Sequence, residues 1–475
     1  MLPEIQPFIQ PFYFLVIITS FVVILSLISA WRRAIKLSIA LAILSQILPL
    51  ILLPVVSIGI FGDGFLILDN LAKYGALIIL LSAFLVLILF VGYFSKFEWL
   101  PYLNNAVVLS VFGAMILIMA SDFIVFYIGW VAMSLPLYAM ISISKEKLRS
   151  LEAAVKFFVM DAMDSILLVF GIALLFGMTQ STVFSEIKIS LTTQNTNPYI
   201  LLATVFIVAA FSIKFALIPF HMYLPDLADG AAPVVTAFII SAEKAATYIG
   251  LIRLATLVLY PLRDFLFIIL SGLAVISIII GNIMALNQRN LLRLFAYSSI
   301  AHSGYIIAGV SLFTVYGFAA ALFHVLTVSL SDILVFGSLA IFSGTFNIRT
   351  LDEINGAGRL IPSASAGLTF GLLSLLGFPP LAAFWSKLLI LFAVWDAGVL
   401  WLAVIVIIGI AISVGYYARV FKHIWIDAPI KEIKAKPIHD AYYIAILSLI
   451  LLIIGIGLMP YLFFGLASLA VPILS

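Results

Sequence analysis

The stretch FSIKFALIPFH, residues 211–221, decides the fold. It sets a lysine (Lys214) and a proline (Pro219) inside an apolar run, and LLGFPPLAAFWSKLLIL, residues 375–391, repeats the pairing with Pro379, Pro380 and Lys387. A charged side chain at the centre of a bilayer costs about 3 kcal/mol on insertion scales. A proline inside a helix frees backbone carbonyls that need other partners. Both costs together, twice, point to a buried ion path through broken helices rather than to plain anchors.

The surroundings fit that reading. Of the 475 residues 65% are hydrophobic and only 9% charged, with a mean hydropathy of +1.29. Apolar runs near twenty residues, enough to cross roughly 30 Å of hydrocarbon, recur from end to end. The alternation of a membrane barrel is absent. The fold class is an all-α polytopic membrane protein. With no cysteine, disulfides, thiolate metal sites and Cys-ligated iron–sulfur clusters are excluded. The five histidines are scattered, and no glycine-rich phosphate loop is present. These features indicate no metal, haem or nucleotide site, and neither a cofactor nor a nucleic-acid partner is expected for this chain. The opening MLPEIQPFIQPF lacks a positive segment, so the first apolar run reads as a retained helix.

About fourteen spans are predicted, roughly 10–30, 37–56, 72–94, 104–120, 122–143, 152–178, 198–220, 231–255, 264–286, 292–312, 315–344, 362–393, 398–424 and 440–472. Spans seven and twelve are the broken ones. Five spans separate them, the spacing of two inverted five-helix repeats, since an odd number reverses the second copy. The expected organisation is residues 1–103 for spans 1–3, 104–260 for the first repeat (spans 4–8), 261–425 for the second (spans 9–13), and 426–475 for a basic connector and span 14. Residues 179–197 read as a polar loop, and 427–438, DAPIKEIKAKPI, as the connector.

Positive charge sets orientation. About sixteen of the 24 Lys and Arg fall in alternate connections: Arg32, Arg33, Lys36, Lys96, Lys145, Lys147, Arg149, Arg289, Arg293, Arg349, Arg359, Arg419, Lys422, Lys431, Lys434 and Lys436. The opposite connections hold mainly Lys188 and Arg263. Both termini are then expected outside. The 7–8 connection is an exception, carrying Asp226 and Asp229 and no cation.

Few ionisable residues lie inside spans: Lys156, Asp161, Asp164, Lys214, Glu243, Lys244, Asp332 and Lys387. Asp161 and Asp164, three apart, share a helix face. Low dielectric disfavours the charged form of any such group, and a nearby opposite charge restores it. Moving that neighbour loads or unloads a lysine, the electrostatic basis of a proton relay. Simpler readings stand beside this one. Lys156, near a basic loop, fits a snorkelling side chain. Glu243 and Lys244 are adjacent, point apart and need not pair. His302 and His324 fit hydrogen-bonded core histidines.

At these residues the chain resembles the antiporter-like subunits of respiratory complex I, a family shared with Mrp-type cation/proton antiporters and membrane-bound hydrogenases. Residues 214–244, KFALIPFHMYLPDLADGAAPVVTAFIISAEK, are similar to its K-x-x-x-x-P-x-H-x-W-L-P-D-A…A-P-x-x-V-x-A…K block. NQRNLLRLFAYSSIAHSGY (287–305) resembles N-L-K-R-L-L-A-Y-S-S-I-x-H-x-G-Y, GFPPLAAFWSK (377–387) resembles G-x-P-P-x-A-G-F-x-G-K, and ILDNLAKYGALI, with Asp69, resembles the early aspartate helix. Lys387, where the M-type carries Glu, and GYYARVF (415–421) are most similar to the N-type branch. The resemblance implies Lys214 as the central proton-exchanging lysine, Lys244 as the bridging lysine and Lys387 as the terminal one. His221 and His302 would line the polar axis between them.

Several positions depart from the family, among them Leu292, which stands at the N-L-K-R lysine. The fifth-span G-W-E reads GWV here, so the glutamate that pairs with the seventh-span lysine is Val131. Asp161 or Asp164, on the sixth span, is expected to replace it. Asp332 stands where related branches carry a lysine and is expected to face Lys387 as its modulating acid. The implied function is a proton-translocating membrane-arm subunit of a complex I-like NADH (or other donor):quinone oxidoreductase. Its partners would be the other membrane-arm subunits and lipid, with quinone bound elsewhere in the complex, in the plasma membrane of a prokaryote. The rivals are an Mrp or membrane-bound hydrogenase cation/proton antiporter subunit, and a structural subunit with a degenerate channel.

Overall fold

A computed structural model describes residue 24 and residues 35–62, 64–95, 97–143, 147–194, 196–429 and 437–472. The first expected span, residue 24 apart, and the cations Arg32, Arg33, Lys96, Lys145, Lys431, Lys434 and Lys436 lie outside the described residues.

In chain order the helices are α1 (Ile35–Leu52), α2 (Asn70–Phe94), α3 (Leu100–Met119), α4 (Phe123–Ser142), α5 (Lys147–Thr179), α6 (Phe184–Gln194), α7 (Pro198–Lys214), α8 (Tyr223–Gly230), α9 (Pro233–Phe238), α10 (Lys244–Leu257), α11 (Arg263–Leu286), α12 (Leu291–Ser311), α13 (Val315–Thr345), α14 (Ala357–Leu360), α15 (Pro362–Leu376), α16 (Ala382–Asp396), α17 (Leu400–Trp425), α18 (Asp440–Leu458) and α19 (Pro460–Ala470). A π turn, Ile239–Glu243, joins α9 to α10. The only strands among the described residues form a short hairpin, Gly59–Phe61 with Leu66–Leu68, ahead of α2. Ten of these segments are long and apolar enough to cross a membrane, and Pro198–Lys214, Pro362–Leu376 and Pro460–Ala470 are shorter apolar helices. The chain is thus a multi-pass membrane protein built almost wholly of helices.

Starts are set by caps. Asp69, Asp122, Asn197, Asn290 and Thr314 each accept from a first-turn N–H of the adjoining helix, satisfying a donor with no intrahelical partner. Asp69 also pairs with the fully buried Arg253 of α10 at 2.6 Å, tying the start of α2 to the bundle. Glycine sets one close crossing. A Cβ on Gly113 or Gly129 would meet main-chain atoms of the other helix, so α3 and α4 touch backbone to backbone.

The centre of the bundle is the continuous segment Pro233–Leu257 together with α13, each buried along an 18-residue stretch of its length. Both predicted breaks are present. α7 stops at Lys214 and the chain resumes as α8; α15 stops at Leu376 and resumes as α16. Pro219 and Pro380, each after a cis bond, sit within the breaks.

Two expected elements differ. Residues 179–197 are not a loop throughout: α6 forms within them because Phe184, Ile187 and Leu191 fall on one face and are buried. The span expected as one helix over 440–472 is two, since Pro460 supplies no N–H and opens α19 as a new helix after Met459.

Candidate functional site

The first cluster forms around the end of α7. Trp130, Ser134 and Tyr138 are four residues apart on α4 and make one polar stripe on a helix that is otherwise apolar. The stripe meets Asp161 and Asp164 of α5. Trp130 Nε1 donates to Asp164 at 2.8 Å, and the Tyr138 hydroxyl donates to Asp161. Lys214 reaches into the same space. Its ammonium donates to Ser134 and forms an ion pair with Asp161, lies 3.8 Å from Asp164 and 3.3 Å from Glu243, and stands over the Trp130 ring at 5.2 Å. All four charged groups are at most 5% exposed.

The cluster answers the missing fifth-span acid. Position 131 is valine, and the carboxylate against Lys214 comes instead from the neighbouring helix, as Asp161. The backbone groups freed by the break are also satisfied. The Tyr223 hydroxyl donates to the carbonyls of Ile213 (3.0 Å) and Lys214 (3.3 Å), Ser303 donates to Phe215 O (3.2 Å), and Ile218 N–H donates to Ser277 (3.1 Å). Side chains of neighbouring segments thereby make irregular backbone tolerable inside the protein.

The π turn carries Glu243 and Lys244 to different partners. Lys244 N–H bonds back to Ile239 O, and Lys244 Nζ donates to Ser299 and Ser303 of α12, each at 3.2 Å. A cavity of about 10 Å³, room for about one water molecule, lies among Lys244, Tyr248, Ser299, His302 and Ser303. From there a hydrogen-bonded row continues. His302 Nδ1 meets His324 Nε2 at 3.2 Å, His324 Nδ1 meets Ser386 Oγ at 2.7 Å, and Ser386 precedes Lys387 in the chain. Tyr417 joins the row, 3.3 Å from His302 Nε2.

Lys387 is held differently from Lys214. Its ammonium donates to the carbonyls of Leu375 (2.6 Å) and Leu376 (3.2 Å) and lies 5.2 Å over the Tyr305 ring. These carbonyls close α15, where the helix dipole is negative and the last C=O groups have no intrahelical partner. The broken helix is therefore the counter-charge. Among the described residues no carboxylate pairs with Lys387.

Asp332 is not where the sequence placed it. It is fully buried, and among the described residues neither carboxylate oxygen has a hydrogen-bond partner and neither pairs with Lys387, whose ammonium is held by the α15 carbonyls. α13 packs against both α9–α10 and α16, and the side Asp332 takes cannot be read from its own helix alone. His221 is buried beside Tyr297, with Nδ1 3.3 Å from Pro219 O. Among the described residues it makes no hydrogen bond to Lys214 or to the row.

Lys156 belongs to a separate polar cavity of about 180 Å³, lined by Arg149, Glu152, Lys156, Asp226, Asp229 and Arg293. Asp226 pairs with Lys156 at 2.7 Å and with Arg293, and Asp229 accepts from Asn290 at 2.7 Å and lies 3.9 Å from Arg349. This explains the anionic 7–8 connection: its cations come from other segments. Two members of the central assembly, Glu243 and His324, are residues to which the sequence alone assigns no necessary role. The available signal was their position inside apolar spans, where every ionisable group needs a named partner.

Comparison with known proteins places this geometry. Residues 120–413 match the family model described as NADH:quinone oxidoreductase/Mrp antiporter, TM. The chain is 34% identical over 409 residues to NADH-quinone oxidoreductase subunit N of Coxiella burnetii, covering 85% of each chain. It superposes on a chain of respiratory complex I from Thermus thermophilus with bound aureothin at a TM-score of 0.80 and 25% identity, covering 96% of this chain and 99% of that one. A chain of the Mrp complex from Dietzia sp. superposes at 0.86 with 18% identity, covering 97% and 96%, which shows likeness of fold.

Proposed function

The chain belongs to the NADH:quinone oxidoreductase/Mrp antiporter transmembrane family, and from that premise we propose that it is the subunit N-type proton-translocating membrane subunit of a complex I-like quinone oxidoreductase. Its similarity to subunit N over most of both chains supports the assignment. The redox chemistry belongs to other subunits of the complex. This chain's part is to bind, hold and release protons in step with them, in the plasma membrane of a prokaryote.

The observation that carries the reading is the buried row from Lys214 and Asp161, through Lys244 with Ser299 and Ser303, to His302, His324, Ser386 and Lys387. Every member can give or take a proton or pass one through a hydroxyl. At the Lys214 end the charge of the ammonium depends on its distance from the carboxylates. Against Asp161 it is held charged; drawn away from the carboxylates, in low dielectric, it gives up its proton. Asp161, with Asp164 beside it, is the switch at this end, in the place of the family's fifth-span glutamate. At the Lys387 end the α15 carbonyls hold the charge, so the state of that lysine responds to the geometry of the break.

The test is the assembled complex reconstituted into vesicles. Lys214→Ala is expected to abolish this subunit's share of redox-driven proton translocation while leaving the redox centres intact. Wild-type pumping by that variant would overturn the reading in favour of a structural subunit. Sodium-dependent exchange that proceeds without redox turnover would overturn it in favour of a cation/proton antiporter subunit.

A further inference from the structure

The Lys214 cluster contains one carboxylate that the switch at Asp161 does not require. Glu243 ends the π turn, is 4% exposed, and brings Oε1 to 3.3 Å from Lys214 Nζ. That oxygen accepts no hydrogen bond among the described residues. An ammonium has three N–H donors. Ser134 and Asp161 occupy two of those on Lys214, and Glu243 stands at ion-pair distance for the third. With Asp161, Asp164 and Glu243 around one lysine, carboxyl groups outnumber the base three to one. The cluster can therefore hold a proton beyond the one on Lys214 without any group leaving contact.

Glu243 differs from the two aspartates in its chain neighbour. The next residue is Lys244, bonded to Ser299 and Ser303 of α12. Successive helix residues point about 100° apart. One peptide unit therefore carries a carboxylate facing Lys214 and an ammonium facing the row toward Lys387. The π turn sits at this junction, and such turns inside helices concentrate at functional sites.

We propose that Glu243 is the proton acceptor of Lys214 and the link between the Lys214 cluster and the rest of the row. The proposal rests on the proton-translocating reading given above. In the step, an N–H bond of the Lys214 ammonium breaks and an O–H bond forms on Glu243 Oε1, so both groups end neutral. The step removes a negative charge beside Lys244. The Lys244 ammonium is then less well compensated and passes its own proton onward more readily. Once Lys244 has passed its proton on, its neutral amine takes the proton from Glu243, and a proton entering from the aqueous side by way of Asp161 or Asp164 reloads Lys214, which resets the pair.

The assembled complex in vesicles tests this with Glu243→Gln, which keeps the size and polarity of the side chain but cannot take a proton, and with Glu243→Asp, which can. Glu243→Gln is expected to assemble and to turn over its redox substrates, with the number of protons moved per electron pair falling to that of Lys214→Ala; Glu243→Asp is expected to restore part of it. Redox-triggered infrared difference spectra are expected to show a carboxylic acid C=O band that Glu243→Gln lacks and Glu243→Asp shifts. Wild-type stoichiometry in Glu243→Gln overturns the proposal and leaves Lys214 untouched; wild-type stoichiometry in Lys214→Ala overturns the underlying reading instead. Loss of pumping in both Glu243 variants with an unchanged infrared band marks a structural role and also overturns it. Should the glutamine variant not assemble, an unshifted band in Glu243→Asp decides against the proposal.

Discussion

Lys214 is a buried cation whose partners all come from other helices: Ser134 from α4, Asp161 and Asp164 from α5, Glu243 from the π turn. Leaving a buried charge without its partner costs roughly 3–5 kcal/mol, because the desolvation is no longer offset. Replacing Asp161 and Asp164 together by Asn keeps shape but leaves Glu243 as the one carboxylate beside Lys214. The double variant is expected to abolish proton pumping and to lower the thermal midpoint of the purified complex, with pumping read as protons per electron pair. Unchanged pumping would show that neither aspartate stands in for the absent fifth-span acid. This residue scale is where the sequence was most legible and also where it failed. Lys214, Lys387, Asp161 and Asp164 stand out because a charge inside an apolar run is costly anywhere in a membrane protein. Which group pairs with which was not legible. Asp332 does not pair with Lys387, and Glu243 turned to Lys214, because the choice depends on the helices packed across from them, not on spacing along their own.

At the scale of elements, the two breaks were readable from proline and lysine together, whereas α6 and the division of α18 from α19 were not. α6 is held by three apolar residues among polar ones, a pattern that becomes a signal only once a neighbouring surface buries it. The second break also depends on a contact that sequence cannot show. A Cβ on Gly457 of α18 would collide with the carbonyl of Pro380, and the Gly457 carbonyl itself accepts from Trp385 Nε1 at 2.8 Å. The glycine therefore lets α18 lie directly on the turn that positions Lys387. Gly457→Ala is expected to displace this turn, destabilising the complex by about 1–3 kcal/mol as overpacking does, and to reduce pumping. Thermal melting and proton stoichiometry measure the two effects. A variant with both at wild-type values would show that α18 does not fix the break.

Over the whole molecule, the two most enclosed segments, Pro233–Leu257 and α13, carry Lys244, Asp332 and His324. Ordinary cores place apolar side chains there; this one places titratable groups, Lys244 beside two hydroxyls, His324 between an imidazole and a hydroxyl, and Asp332 without a hydrogen-bond partner among the described residues. His324 is the narrowest point of the arrangement. One nitrogen meets His302 and the other meets Ser386, so a single ring spans the gap between the Lys244 side and the Lys387 side. Truncating it to alanine would leave space that water could bridge, so the decisive replacement is His324→Phe. Phenylalanine fills the volume of the imidazole, carries no proton and excludes water from the gap. If protons pass between the two sides through this ring, the variant assembles and its redox centres remain reducible, but pumping through this subunit stops, whereas His324→Gln, which keeps a donor and an acceptor, retains part of it. Equal pumping by the phenylalanine and wild-type complexes would mean that the two lysines are linked by charge alone and that no proton crosses between His302 and Ser386.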